Sequence, residues 1–401
     1  MKFELFRGNS GVYFWLNGLA AMAFSFILPV MSLFLIEGLG IEPMYIGIYT
    51  VGTAISTILI SQILGRLADK GINSKTLLLI AIGFLCLAAL CFSLLTQFWQ
   101  AIIVGWCFMA FGASSIPLLL AMIRRFAEQS GKDSTKLNSQ MRSSVSLVWI
   151  VGPALAFASV GTFGFRANFT LAATIALLVF VMVWRLLPSA SKPATSQTAH
   201  HETVPPFPYK VWFLGIGILF ANMANSTYIN AMPLFITKEL DLPVSYPGIF
   251  MGLTAALEIP VMLLSASWSH RFGKMPLMMV GFVIAMFFYI GIQYASTIEW
   301  LLALQLLNGL FYGIFVGLGI TLLQDSAPKR VGQVSAFYTN AMSVGTMCGT
   351  SLMGFVAQQY GFRNAIYISF VAIVISLIIF LMIHLHESKR DRLAEQQLPL
   401  L

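Results

Sequence analysis

Gly65-Arg66-Leu67-Ala68-Asp69-Lys70-Gly71 is a short polar hairpin set between two long apolar runs, and its reading decides the fold. Gly65, lacking a side chain, lets two helices approach closely. Asp69 supplies a carboxylate suited to cap a neighbouring helix N-terminus, where unpaired N–H groups and the helix dipole favour an anion. Taken alone, the stretch is equally consistent with an ordinary solvated turn. Its surroundings give it more weight, because the apolar runs on either side belong to a series that fills the chain.

Of the 401 residues, 58% are hydrophobic and 9% are charged. Soluble domains carry about 25% charged residues, so this composition is that of a polytopic membrane protein. A helix needs roughly 20 mostly apolar residues to cross a hydrocarbon core about 30 Å thick. Twelve such runs are present, near 11–35, 44–64, 76–96, 99–122, 143–162, 167–187, 211–235, 245–269, 275–295, 300–323, 332–356 and 364–384. The fold class read from them is an all-α integral membrane protein with twelve transmembrane helices. The first run is too long for the apolar region of a signal peptide and leads straight into a second, so it is expected to remain in the mature protein.

Basic residues set the orientation, because Lys and Arg are retained on the cytoplasmic side. With the N-terminus inside, all but three of the 23 Lys and Arg fall in cytoplasmic segments; Arg166, Lys238 and Arg363 are the exceptions. Both termini are therefore expected in the cytoplasm of a cell whose inner, or plasma, membrane holds the protein. The net charge of +8 then reflects topology, and no nucleic-acid partner is expected.

Between the sixth and seventh runs the composition turns to Ser, Thr, Pro and Ala, from Pro188 to Pro208. Such a segment reads as a cytoplasmic linker. It divides the chain into a six-helix bundle at 1–187, a linker at 188–210, a second six-helix bundle at 211–385 and a cytoplasmic tail at 386–401. His200 and His201 lie in the linker without further ligands, and Cys86, Cys91, Cys107 and Cys348 lie in spans without ligand spacing. Neither set predicts a metal site, and no cofactor is expected. A weak internal repeat supports the division. Ala266-Ser267-Trp268-Ser269-His270-Arg271-Phe272-Gly273-Lys274 takes the place after span eight that Gly65 to Asn73 holds after span two, with His270 where the acid would be.

The hairpin resembles the Gly-x-Leu-x-Asp-Arg/Lys-x-Gly signature that the major facilitator superfamily carries between its second and third helices. The resemblance implies two six-helix bundles and a latch built on Gly65, Arg66 and Asp69, with Asp69 docking near Val331-Gly332-Gln333 at the start of span eleven. Gly152-Pro153 resembles the remnant of an exporter motif whose upstream glycines are absent here. Further motifs are similar to the bacterial sugar efflux transporter family: Ile229-Asn230-Ala231-Met232-Pro233-Leu234-Phe235, Leu257-Glu258-Ile259-Pro260, Gln305-Leu306-Leu307-Asn308, Gln324-Asp325-Ser326-Ala327-Pro328 and Tyr338-Thr339-Asn340. Leu33-Phe34-Leu35, Ser61-Gln62 and Ser146 to Pro153 extend the likeness over about residues 25 to 385. It implies export of mono- or disaccharides and glycoside analogues, driven by proton entry; the carrier is expected to be a monomer.

Independently of any family, a sugar pathway needs hydrogen-bonding groups and aromatic platforms at mid-membrane depth. Glu258 is the one acid at such depth. A charge there costs roughly 2.5–3.5 kcal/mol on insertion scales, less where the group faces water or is protonated. Two roles are open: a carboxyl that takes up and releases a proton during transport, which is favoured, or a permanently protonated acid that bonds across helices. Gln305, Asn308 and Tyr312 recur at i, i+3, i+7 on one face of span ten. Asn222, Asn225, Ser226 and Asn230 form a stripe in span seven. Amides both donate and accept, as sugar hydroxyls do; the competing role is bonding between helices at about 0.6 kcal/mol each. Asn340 in span eleven, Asn17 in span one and Trp106 in span four complete the substrate-contact candidates.

A broad drug or amphiphile exporter of the same superfamily is the alternative within transport, and would use a more apolar cavity with a single acid. An enzyme would need a catalytic set at depth, such as His-Glu-x-x-His, a Ser-Lys pair or paired acids. The sequence shows none of these.

Overall fold

Two hairpins of the same sequence, Gly164-Phe165-Arg166 and Gly361-Phe362-Arg363, turn the chain between spans five and six and between spans eleven and twelve. Their glycines have φ of 80° and 85°, a region that side chains disfavour, so glycine is what lets a long helix reverse there. This computed structural model describes residues 9–129, 134–187 and 208–397. The linker, including His200 and His201, lies outside them apart from residues 208–210.

Span one runs as Asn9–Ile27 and Met31–Leu33 and ends in a π-helical turn, Phe34–Gly38. Span two is Met44–Asp69 and span three Ser74–Phe92. Span four is Phe98–Ile103, a π-helical stretch Val104–Met109, then Ala110–Ala113 and Ser115–Gln129. Spans five and six form the continuous stretch Ser134–Leu186, broken only at Gly164. Span seven, Tyr209–Leu234, ends in a π-helical turn, Phe235–Glu239, as span one does. Spans eight to eleven are Tyr246–Phe272, Lys274–Tyr294, Ile298–Ser326 and Val331–Tyr360. The last is Phe362–Ala365 and Tyr367–Gln397, so most of the expected tail from 386 continues the final helix.

Among the described residues, nine helices are long and apolar enough to cross a membrane, with the stretch from Leu147 to Leu186 counted as one. Spans seven and eleven fall outside that set, and they carry the densest amide and hydroxyl stripes. They pack on one another, which hides those stripes from lipid. The protein is thus an all-α, multi-pass membrane protein.

The chain forms two compact units, residues 1–201 with 236–252, and residues 202–235 with 253–401. In the first, span five packs on span one: a Cβ built on Gly152 would lie 2.1 Å from Ser25 Oγ, so only glycine fits. Asn17 Nδ2 donates to the Met141 carbonyl at 2.8 Å and to Ser144 Oγ at 3.1 Å. In the second, Asn222 Nδ2 makes the same kind of bond to the Met342 carbonyl at 2.6 Å and to Thr346 Oγ1 at 2.9 Å. Aromatics fill the end of the first unit next to Gly164, where Phe34 sits 4.8 Å from Phe169 and 5.4 Å from Phe165.

Candidate functional site

The second unit holds a polar network at the centre of spans seven, eight and ten. A stripe of three glycines on span ten creates it. A Cβ on Gly309 would lie 3.2 Å from the Thr254 carbonyl, one on Gly313 2.9 Å from the Glu258 carbonyl, and one on Gly317 2.5 Å from Ser265 Oγ. Span eight is therefore drawn against the backbone of span ten. Thr254 and Glu258, four residues apart, lie on the span-eight face that this contact brings to span ten.

Gln305 is fully buried. Its Nε2 donates to the Leu301 carbonyl at 3.0 Å, while its Oε1 accepts from Tyr228 Oη and from Thr254 Oγ1, each at 3.1 Å. Asn308 Nδ2 donates to Thr254 Oγ1 at 3.3 Å. Asn308 is 3% exposed, and its Oδ1 has no partner among the described residues. The hydroxyl of Tyr289, buried against Tyr228, Phe288 and Phe311, also lacks one.

Glu258 is half-buried one turn beyond Thr254. Among the described residues it has no hydrogen bond and no ion pair. Tyr312 stands within electrostatic reach of it and of Tyr338. The acid is thus not held as a fixed link between helices.

The remaining expected contacts are arranged differently. Asn222, Ser226 and Asn230 all turn to span eleven: Ser226 Oγ bonds Thr346 Oγ1 at 3.1 Å, and Asn230 Nδ2 bonds the Ser226 carbonyl at 2.9 Å and Thr350 Oγ1 at 3.4 Å. Asn225, one face round from them, is buried and makes no side-chain hydrogen bond to the described residues. Asn340 is exposed on span eleven. Asn17 is held by span five as above. Trp106 donates from Nε1 to the Tyr49 carbonyl at 3.3 Å, and its ring occupies the space a side chain on Gly52 would need. The structure therefore brings together Glu258, Gln305, Asn308 and Tyr312, sets Asn225 one turn before Tyr228 on span seven, and leaves the others at helix contacts or elsewhere.

At the hairpin, a Cβ on Gly65 would meet nothing within 4 Å, so the close helix approach expected there is not made and the glycine faces open space; Arg66 is exposed. Asp69 closes the helix Met44–Asp69, and its side chain lies outside what is described. Thr254, Tyr228 and Tyr289 were not among the residues expected from the sequence. Thr254 could have been found from its position four before Glu258 on the same face. The tyrosines gave no signal in a chain that is 13% aromatic.

A helical carrier fold with a polar network in one bundle and a lone acid beside it defines a secondary transporter. The Major Facilitator Superfamily pattern matches residues 13–291 and 214–400, and the chain belongs to that family. Within it, the chain is 33% identical over 355 residues to Sugar efflux transporter A of Dickeya chrysanthemi, covering 88% of this chain and 90% of that one. It is also 33% identical over 349 residues to Sugar efflux transporter B of Salmonella typhimurium, covering 87% and 89%. These relatives place it in the sugar efflux branch. Among solved structures, the nucleoside transporter NupG shares the fold with a TM-score of 0.73 at 16% identity, covering 92% of this chain and 97% of that one. The protein is a membrane carrier and not an enzyme.

Proposed function

We propose that the protein exports mono- or disaccharides and glycoside analogues across the inner membrane in exchange for protons, working as a monomer with both termini in the cytoplasm. The observation that carries this reading is the Tyr228–Gln305–Thr254–Asn308 network beside an acid that has no hydrogen bond or ion pair among the described residues. A drug-type cavity has no use for so many oriented amides, whereas sugar hydroxyls do. The relatives' names agree with it over nearly the whole chain.

In this reading Asn225, Asn308 and Tyr312 contact the sugar, and Gln305 holds Asn308 in place through Thr254. Glu258 carries the proton. Asn17, Asn222, Ser226 and Asn230 hold span five to span one and span eleven to span seven, while Trp106 and Asn340 are further, weaker substrate contacts. Gly65, Arg66 and Asp69 form the cytoplasmic latch, and the basic residues set the topology.

The deciding experiment is counterflow of a panel of radiolabelled sugars through proteoliposomes, with and without a pH gradient. Exchange of a sugar, accelerated by the gradient, is expected. Exchange of hydrophobic amines but of no sugar would overturn the reading in favour of a drug exporter.

A further inference from the structure

The hydrogen directions in the network follow from a single fixed point. The Leu301 carbonyl can only accept, so the Gln305 atom 3.0 Å from it is the donating Nε2, and Oε1 is the atom that faces Tyr228 and Thr254. Oε1 in turn can only accept, so both Tyr228 Oη and Thr254 Oγ1 donate to it. Thr254 has one hydroxyl hydrogen and it is now committed. What remains on Oγ1 is lone-pair capacity, so Asn308 must meet it with its amide nitrogen. Asn308 Oδ1 is thereby turned away from the network. It is buried and has no partner among the described residues.

We infer that Thr254 is a specificity-determining positioning residue: it locks the Asn308 amide so that the substrate meets a bare acceptor and must supply a hydrogen-bond donor there. The inference rests on the reading of the protein as a sugar carrier and names the demand its site makes on one hydroxyl. A sugar hydroxyl meets that demand. A methyl ether, a deoxy carbon or a fluorine at the same position does not, because none of them donates and each leaves the buried oxygen unpaired. Nothing else in the network can relax to compensate, since each polar atom upstream of Asn308 already has a partner whose direction is fixed. Removing the Thr254 hydroxyl removes the lock. The Asn308 amide can then turn over and present its NH2 to an acceptor, so the preference for a donor fades.

The test uses the full-length protein in proteoliposomes with D-glucose and lactose as monosaccharide and disaccharide probes. Each is competed by analogues in which one hydroxyl at a time is replaced by fluorine. In the parent, one position is expected to show about a ten-fold loss of competition on fluorination, the size of one buried hydrogen bond left unmade. Thr254→Val, which keeps the shape, should shrink that ratio to about two-fold, and Thr254→Ser should retain it. A merely structural role for Thr254 would lower activity for all analogues alike and leave the ratio untouched. A parent that exchanges sugar but tolerates fluorine at every position overturns the inference, whatever the variants do, as does a folded Thr254→Val with the full ratio. A parent that exchanges neither of these nor any other sugar of the panel overturns the sugar-carrier reading instead, and the donor demand falls with it as a sugar contact.

Discussion

The second half of the sequence repeats the first 201 positions further on, and the two halves differ where it matters. Leu33-Phe34 recurs as Leu234-Phe235, Tyr45 as Tyr246, Gly47 as Gly248, Trp99 as Trp300, Gly112 as Gly313 and Met141 as Met342. Both copies close spans one and seven with a π-helical turn, and both tie an asparagine amide to a methionine carbonyl, Met141 or Met342. At the same register, however, Glu258, Gln305, Asn308 and Tyr312 stand where the first half has Thr57, Val104, Cys107 and Phe111. Among the described residues Thr53, the counterpart of Thr254, bonds only the Tyr49 carbonyl of its own helix, at 2.8 Å. One bundle keeps an apolar filling of Tyr49, Trp106 and the Phe84–Phe111 stack; the other has the same frame filled with polar groups. The helix-to-helix frame and the chemistry inside it are therefore separable.

The sharpest way to break this comparison is at Glu258, the position with the largest difference between halves. Glu258→Gln mimics the neutral acid permanently and should abolish uphill, pH-driven export while sparing exchange of sugar down its own gradient. Uphill transport and counterflow measured side by side decide it, and unchanged proton-driven export would assign the acid a structural role. Thr57→Val in the first half should leave coupling intact in the same assay.

The glycine contacts come next. Gly313→Leu forces a side chain into the space of Val261 and the Glu258 carbonyl, so thermal unfolding in detergent should show a loss of about 1–3 kcal/mol from overpacking. Gly65→Ala places its methyl in open space and should be near neutral. Equal effects would mean that span eight does not depend on the span-ten stripe.

A comparable but functional loss is expected at Asn308. Asn308→Ala should weaken sugar binding by about 1–3 kcal/mol with near-normal expression, read by isothermal titration or competition. Cys107→Ala, at the matching place in the first half, should leave binding unchanged. Smallest of all, Asn17→Ala and Asn222→Ala should each lower stability by about 0.6 kcal/mol per lost interhelical bond, with little change in sugar affinity. A large affinity loss at Asn222 would return the span-seven stripe to the substrate.

Much of the site was legible in the sequence, because an acid, two amides and a tyrosine deep in apolar helices are conspicuous by their cost. Helical spacing correctly put Gln305, Asn308 and Tyr312 on one face. Spacing alone could not say which face of span seven met span eleven, so Asn222, Ser226 and Asn230 read the same as Asn225. In the first half the repeat was legible at the hairpin after span two but not in span four, because Val104, Cys107 and Phe111 carry none of the polar chemistry of their counterparts.

Sequence by itself determined the class, the long apolar helices and the depth of the acid, since each follows from the cost of polar groups in lipid and from local geometry along one chain. Tertiary structure alone decided which amides are used up between helices and which remain free. That depends on the rotation of each helix about its axis, set by the close approach of Gly309, Gly313 and Gly317 to span eight and of Gly345 and Gly349 to span seven. Hydrogen-bond direction at Asn308 is likewise a property of four residues from three helices meeting at one point, and no stretch of the chain contains it.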